Sequence, residues 1–110
     1  MSSAKLYGVY TAQFPFLEAT DGKVRPVIVA SAPQGRHKVI AIIPVSSKTN
    51  REIVDAVLND WHDEGLIKPS VARVHRLTTT LQSDLLSELG SLTANDIERV
   101  QKSMRALLSL

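Results

Sequence analysis

The chain has 110 residues, a mass of 12.1 kDa and no cysteine; 44% of its residues are hydrophobic, 22% charged and 5% aromatic. That is the size of one domain with one modest core. It is too apolar for a disordered chain, and it lacks the thiols that disulfide scaffolds, thiolate metal sites, iron–sulfur clusters and cysteine nucleophiles require. The net charge of +2 hides a segregation: six basic residues and no acid over 23–51, five acids and no Lys or Arg over 52–64, three basic residues and no acid over 65–83. Charge alone leaves open whether the basic segments form one polyanion-binding face or an ordinary solvated surface.

Residues 6–16 alternate loosely through Val9, Tyr10, Phe14 and Phe16 and predict a first strand, with Pro15 near its end, where a missing amide is tolerated. Asp21-Gly22 marks residues 17–23 as a loop or hairpin tip. Residues 24–31 are β-branched and apolar, a strand buried on both faces. After a turn over 32–37, residues 38–46 predict a second such strand, with Pro44 at a bulge or an edge. A polar connection follows over 47–51. The apolar spacing over 52–59 fits a short helix and does not exclude alternation. A turn over 65–69 leads into a strand over 70–77 with one wet face. Thr80 is predicted to cap a short helix over 81–89 that ends at Gly90 in a left-handed conformation. Thr93, three residues before Asp96, resembles a capping box. It opens a helix whose Ile97, Val100, Met104, Leu107 and Leu108 form one apolar stripe.

These elements predict a single, mainly β (α+β) domain over 1–110: a small barrel of about five strands, strand-rich over 5–79 and helical over 80–110. No apolar run approaches the ~20 residues of a bilayer span. Met1–Lys5 is followed by no secretory apolar core. The expectation is a soluble cytoplasmic protein with no membrane contact.

Elimination narrows the chemistry. His37, His62 and His75 have no HxH or HExxH spacing, so no required metal or other cofactor is expected. There is no G-x-S-x-G elbow, no P-loop and no G-x-G-x-x-G. The acids over 52–64 read as a solvated face, with His62 among them in a surface turn. What remains is a phosphate-directed set: Arg25, Ser46, Ser47, Lys48, Arg73 and His75. Arg25 stands at the head of a very apolar strand, and Pro26 restricts its backbone to an extended shape. Its charge is costly there without a task or a partner, though its head can also snorkel to solvent or pair with Asp21.

Gln13-Phe14-Pro15-Phe16, a polar loop, and then Val24-Arg25-Pro26-Val27-Ile28-Val29 resemble the opening of the MazF/PemK family of toxin ribonucleases. Ile43-Pro44-Val45-Ser46-Ser47 is similar to that family's Pro-x-Thr-Ser stretch. Gly65 to Val74 is similar to its later Gly-Leu…Ser-Val strand, and Leu89-Gly90-Ser91-Leu92 with the last helix to its C-terminal end. The resemblance spans nearly the whole chain. It implies an SH3-like barrel with C-terminal helices, a homodimer, metal-independent cleavage of single-stranded RNA, and a cognate antitoxin that occupies the RNA site.

Residue by residue, the resemblance implies a catalytic Arg25. It places Ser46 where the family more often has threonine, and Arg73 where some members use an acid or phosphate-binding arginine. His75 stands where those members carry an aspartate, a departure that an imidazole, titrating near pH ~6.5, can fill as base. Asp21 is the candidate for a position that is His or Glu in some members. Lys23, Ser47, Lys48, Arg51 and Arg76 would track the RNA backbone. The competing readings are a barrel toxin acting by protein contact, of the gyrase-poison type, and an RNA-binding module that leaves RNA intact. Both lack any need for Arg25, Ser46, Arg73 and His75 to converge.

Overall fold

The computed structural model describes residues 3–13, 24–48, 50 and 52–110. The elements are β1 (Gly8–Gln13), β2 (Val24–Val29), β3 (Val39–Ser46), β4 (Ala56–Leu58), β5 (Ser70–Ala72), β6 (Thr78–Leu81), β7 (Leu85–Ser91) and α1 (Ala94–Leu108). The strands form one antiparallel sheet in the order β4-β5-β3-β2-β1-β7, with β6 also paired to β3. The mainly β, α+β architecture matches the expectation. The strands number seven, and among the described residues β4 and β7 end the path without closing it into a complete barrel.

β3 organises the sheet because it changes partner along its length. Its Val39–Ile42 half pairs with β6, and Val45 and Ser46 pair with β5. Pro44 falls where neither strand pairs, and its carbonyl accepts the Arg73 N–H at 2.8 Å. A strand residue's N–H and C=O point the same way, so the amide that proline lacks faces this gap. Pro44 therefore sits at neither a bulge nor an edge, and no ladder bond is lost.

Residues 27–29 of β2 and most of residues 40–45 of β3 are buried on both faces, as their unbroken apolar sequences predict, whereas Val24 and Arg25 at the start of β2 are exposed. Ile28, Ile43 and Val45 face one cluster with Val9, Leu58, Ala72, Val74 and Val100. Val27, Val29, Ile40 and Ile42 face the other with Tyr10, Ala12 and Leu85. α1 lies over the first cluster through Ile97, Val100, Met104 and Leu107. Leu108, assigned by periodicity to the same stripe, is exposed. Thr93 caps α1 by accepting the Asp96 N–H at 3.3 Å.

Further expectations fail. Residues 81–89 form no helix: Thr78–Leu81 is strand β6, Gln82–Asp84 a 3-10 turn and Leu85–Ser91 strand β7, so the helical part begins at Ala94 and comprises one α-helix. Leu85, Leu86 and Leu89 mimic helical spacing, but β1 recruits the segment as its second neighbour. Thr80 donates to Asp84 at 2.5 Å instead of capping a helix. Gly90 is not left-handed, since Gly35 and Gly65 are the glycines with positive φ among the described residues. Gly90 is needed for closeness: a Cβ there would lie 2.6 Å from the Glu64 carbonyl oxygen. Finally, the strand expected over 70–77 stops at Ala72, and Val74–Arg76 is a 3-10 turn. The segment 52–59 resolves to the short strand β4.

Candidate active site

Strand register brings the first two candidate residues together. Val27 pairs with Pro44 and Ile28 with Ile43. Continued by two residues, the same register sets Arg25 across from Ser46. Both line one cleft of about 350 Å³, walled by Pro26, Val45, Leu66, Ile67 and Leu89, with Ser47, Lys68 and Ser70 as polar members. Leu89 occupies a β-bulge, an extra residue between the pairs Val9–Gly90 and Tyr10–Glu88. The left-handed Gly65 (φ 89°) lets the chain turn against that bulge. The Ser46 hydroxyl oxygen accepts the Lys48 N–H at 3.1 Å, which leaves its O–H as a donor.

A second, polar pocket of about 260 Å³ adjoins the first at Ser46. Lys48, Asn50, Glu52, Arg73, His75 and Arg76 line it. Ser46 therefore belongs to both spaces, with Arg25 on one side and Arg73 and His75 on the other. His75 lies in the 3-10 turn that replaces the end of the expected strand, Arg73 immediately precedes that turn, and the chain there wraps around a third residue that the sequence did not reveal, Asp55.

Asp55 stands behind the Arg73 and His75 wall of this pocket, and its side chain is fully buried. One carboxylate oxygen accepts the His75 N–H at 3.1 Å and stands 2.7 Å from His75 Nδ1. The other accepts the Glu52 N–H at 3.0 Å and lies 3.5 Å from Arg73 Nη1. Burial pushes the Asp55 carboxyl up, but hydrogen bonds from the His75 ring and from the Glu52 and His75 amides outweigh burial and hold it below the ordinary 3.8. Arg73 also donates to the Lys48 carbonyl at 3.2 Å and to the Asn50 carbonyl. It thus clamps the segment that follows Ser46. No window of sequence marks Asp55, because its donors lie both three and about twenty residues away.

The acids over 52–64 are a solvated face only in part, since Glu52 and Asp63 are exposed. Asp55 and Glu64 are buried, and Glu64 is completely so. Asp60, Glu64 and Asp96 bring one oxygen each to within 4.8 Å of one another at the start of α1. Protein donors already meet them: the Asn59 and Asp60 amides and Arg99 on Asp96, and the Thr93 amide on Glu64. Asp96 thus serves a tertiary contact and not the reciprocal half of a capping box. Among the described residues, Glu64 Oε1 alone is a buried side-chain polar atom without a hydrogen-bond partner. Burial and the Asp96 carboxyl raise Glu64 from 4.5 to about 7, against the opposing pull of the Thr93 amide. The Glu64 carboxyl thus holds its proton to higher pH than an ordinary glutamate.

Asp21, Lys23 and Arg51 lie outside the described residues. Ser47 lines the first pocket, Arg76 the second, and Lys48 the second with its side exposed. Sequence reasoning did not select Lys68, Asn50 or Glu52, which complete the linings. No described helix is long and apolar enough to cross a membrane.

A sequence model of the PemK-like, MazF-like toxins of type II toxin–antitoxin systems matches residues 5–108. No curated protein matches the chain significantly by sequence. Several solved structures share the fold. MazF of Deinococcus radiodurans superposes with a TM-score of 0.77 at 17% identity, each chain covering 100% of the other. The Mycobacterium tuberculosis toxin MazF-mt6 gives 0.75 at 18% identity, covering 94% of this chain and 97% of its own. A mycobacterial endoribonuclease in complex with its cognate antitoxin gives 0.74 at 15% identity, covering 97% of each chain.

Proposed function

Because the chain belongs to the PemK-like, MazF-like toxins of type II toxin–antitoxin systems, we propose that it is an endoribonuclease that cleaves single-stranded RNA without a metal ion, through attack of the RNA's own 2′-hydroxyl, and that a cognate antitoxin silences it. The mycobacterial structural neighbour described as an endoribonuclease with its antitoxin supports the reading at the level of fold. The observation that carries it is the position of Ser46, shared by a cleft that holds Arg25 and a pocket that holds His75.

In this mechanism the scissile phosphate lies over Ser46. Ser46 donates its O–H to a phosphate oxygen. Arg25 offers a planar fork to the charge that builds as the phosphorus becomes five-coordinate. His75 takes the 2′-hydroxyl proton at Nε2 as the 2′-O–P bond forms. The P–O5′ bond then breaks, and the 5′-oxygen is protonated from solvent in the open pocket. The products are a 2′,3′-cyclic phosphate and a 5′-hydroxyl. Arg73 keeps the segment after Ser46 in place, while Lys48, Arg76 and Ser47 meet the flanking backbone. Asp21, by family likeness, and Lys23 and Arg51, by their charge or position, are assigned to RNA contact, and the homodimer rests on family likeness alone.

The test is incubation of the purified, antitoxin-free chain with a long single-stranded transcript in excess EDTA. Discrete fragments with 5′-hydroxyl ends are expected, and intact RNA refutes the reading. Arg25→Ala should cut the rate at least ~100-fold, the scale of losing one preorganised charge-stabilising donor. A near-normal rate in that variant removes Arg25 from the mechanism.

A further inference from the structure

We infer that Asp55 is a positioning residue for the proposed base: it fixes His75 in the tautomer with hydrogen on Nδ1, leaving the lone pair on Nε2 in the pocket shared with Ser46. The inference rests on the ribonuclease reading for its purpose, but on geometry for its substance.

The contacts leave one consistent arrangement of hydrogens. An ionised carboxylate only accepts, so the 2.7 Å contact between Asp55 and His75 Nδ1 requires a hydrogen on Nδ1. A neutral ring carries one such hydrogen, so Nε2 is bare. The Arg76 Nε–H points at Nε2 from 3.4 Å, a long contact that fits an acceptor there, opposes a second donor, and must open before Nε2 takes a proton from the 2′-hydroxyl. The His75 amide donates to the same Asp55 oxygen at 3.1 Å. Backbone and ring of His75 are therefore gripped together, and the ring cannot turn over without breaking the buried contact.

The grip is itself supported. The second Asp55 oxygen is occupied by the Glu52 amide at 3.0 Å, just before β4, and by Arg73 Nη1 at 3.5 Å. The Asp55 side chain has no exposure, against 29% for His75. The carboxylate is thus out of reach of RNA and cannot act on it directly, while the imidazole it holds is open to the pocket. A buried acid behind a half-exposed imidazole is the arrangement that sets which ring nitrogen takes a proton.

Asp55→Asn separates this role from packing, because the shapes match. The amide can orient in two ways. With its oxygen toward His75, its NH₂ opposes two donors, the Glu52 amide and Arg73. With its oxygen toward Glu52 and Arg73, its NH₂ opposes the His75 amide alone and donates to Nδ1. The second orientation has fewer conflicts, and it drives the ring hydrogen to Nε2.

The experiment is ¹⁵N NMR of the His75 ring at pH 8.5 in the full chain without RNA, alongside cleavage kinetics on a long single-stranded transcript. The wild type should show a protonated Nδ1 and a bare Nε2, and Asp55→Asn the reverse. The variant's kcat should fall ~10²- to 10⁴-fold, the scale of losing the correct tautomer in a base held by a carboxylate, with KM changed less than threefold. A wild-type ring protonated on Nε2 overturns the inference whether or not any variant folds. So does a folded Asp55→Asn that keeps the wild-type tautomer, or one whose kcat is unchanged. Failure of the ribonuclease reading looks different: the wild type leaves RNA intact, and the ring signals still decide what Asp55 does.

Discussion

Replacing Glu64 with glutamine should remove one pH dependence from the stability of this fold. Glu64 is fully buried beside Asp96, its Oε1 has no hydrogen-bond partner, and its midpoint stands at about 7 against 4.5 for an ordinary glutamate. The folded chain thus holds this proton more tightly than the unfolded chain. Its contribution to stability is complete below pH 4.5 and is lost as pH rises through 7. A midpoint displaced that far corresponds to on the order of 3 kcal/mol. In a domain of this size that is roughly 10 °C in Tm.

Glutamine imitates the protonated acid. Its oxygen can accept the Thr93 N–H, which lies 2.9 Å from Glu64 Oε2, and its NH₂ can donate to Asp96. Urea unfolding of both chains from pH 5 to 8.5 measures the difference, and other titrating groups cancel in the comparison. The gap between the two chains should be smallest at pH 5, under about 1 kcal/mol, should widen mainly between pH 5 and 7, and should level off above pH 7 at about 3 kcal/mol in favour of Glu64→Gln. A constant offset at every pH, or a glutamine variant that is less stable at pH 8, refutes the retained proton.

Two further outcomes probe the two ends of the cleft. Ser46→Ala should lower RNA cleavage by about 100-fold through loss of one donor to the phosphate, whereas Ser46→Thr should stay within roughly tenfold of wild type because the hydroxyl survives; equal rates for Ser46→Ala and wild type in single-turnover assays exclude that donor. Gly65→Ala should destabilise the chain by about 2–5 kcal/mol, combining the left-handed backbone penalty with overpacking. Its φ is 89°, and the new Cβ would stand 2.2 Å from the Leu89 carbonyl oxygen. An unchanged denaturation midpoint would show that the turn and the β7 bulge are not pressed together.

Much of the fold is visible in local sequence. Residues 27–29 and most of residues 40–45 are unbroken apolar runs and become doubly buried stretches of strand. Thr93 followed by a 3.6-residue stripe becomes a capped helix. Residues 81–89 mislead because leucines spaced like a helix face serve equally on a bulged strand, and β1 offers the free edge that decides. Arg25 and Ser46 stand out as polar residues at the ends of apolar strands, and the pairing of β2 with β3 brings both to one cleft.

Asp55 and Glu64 were misread for the converse reason. A carboxylate's burial depends on donors that arrive from elsewhere. Asp55 is met by Glu52, Arg73 and His75, and Glu64 by Thr93. The sequence by itself determined the β-rich core, the closing helix and the polar groups available for phosphate chemistry, because periodicity and residue type act over a few neighbours. Only the tertiary structure decided which acid stands behind His75, which keeps its proton, and where two pockets meet, because those depend on hydrogen-bond donors and dielectric brought together from distant parts of the chain.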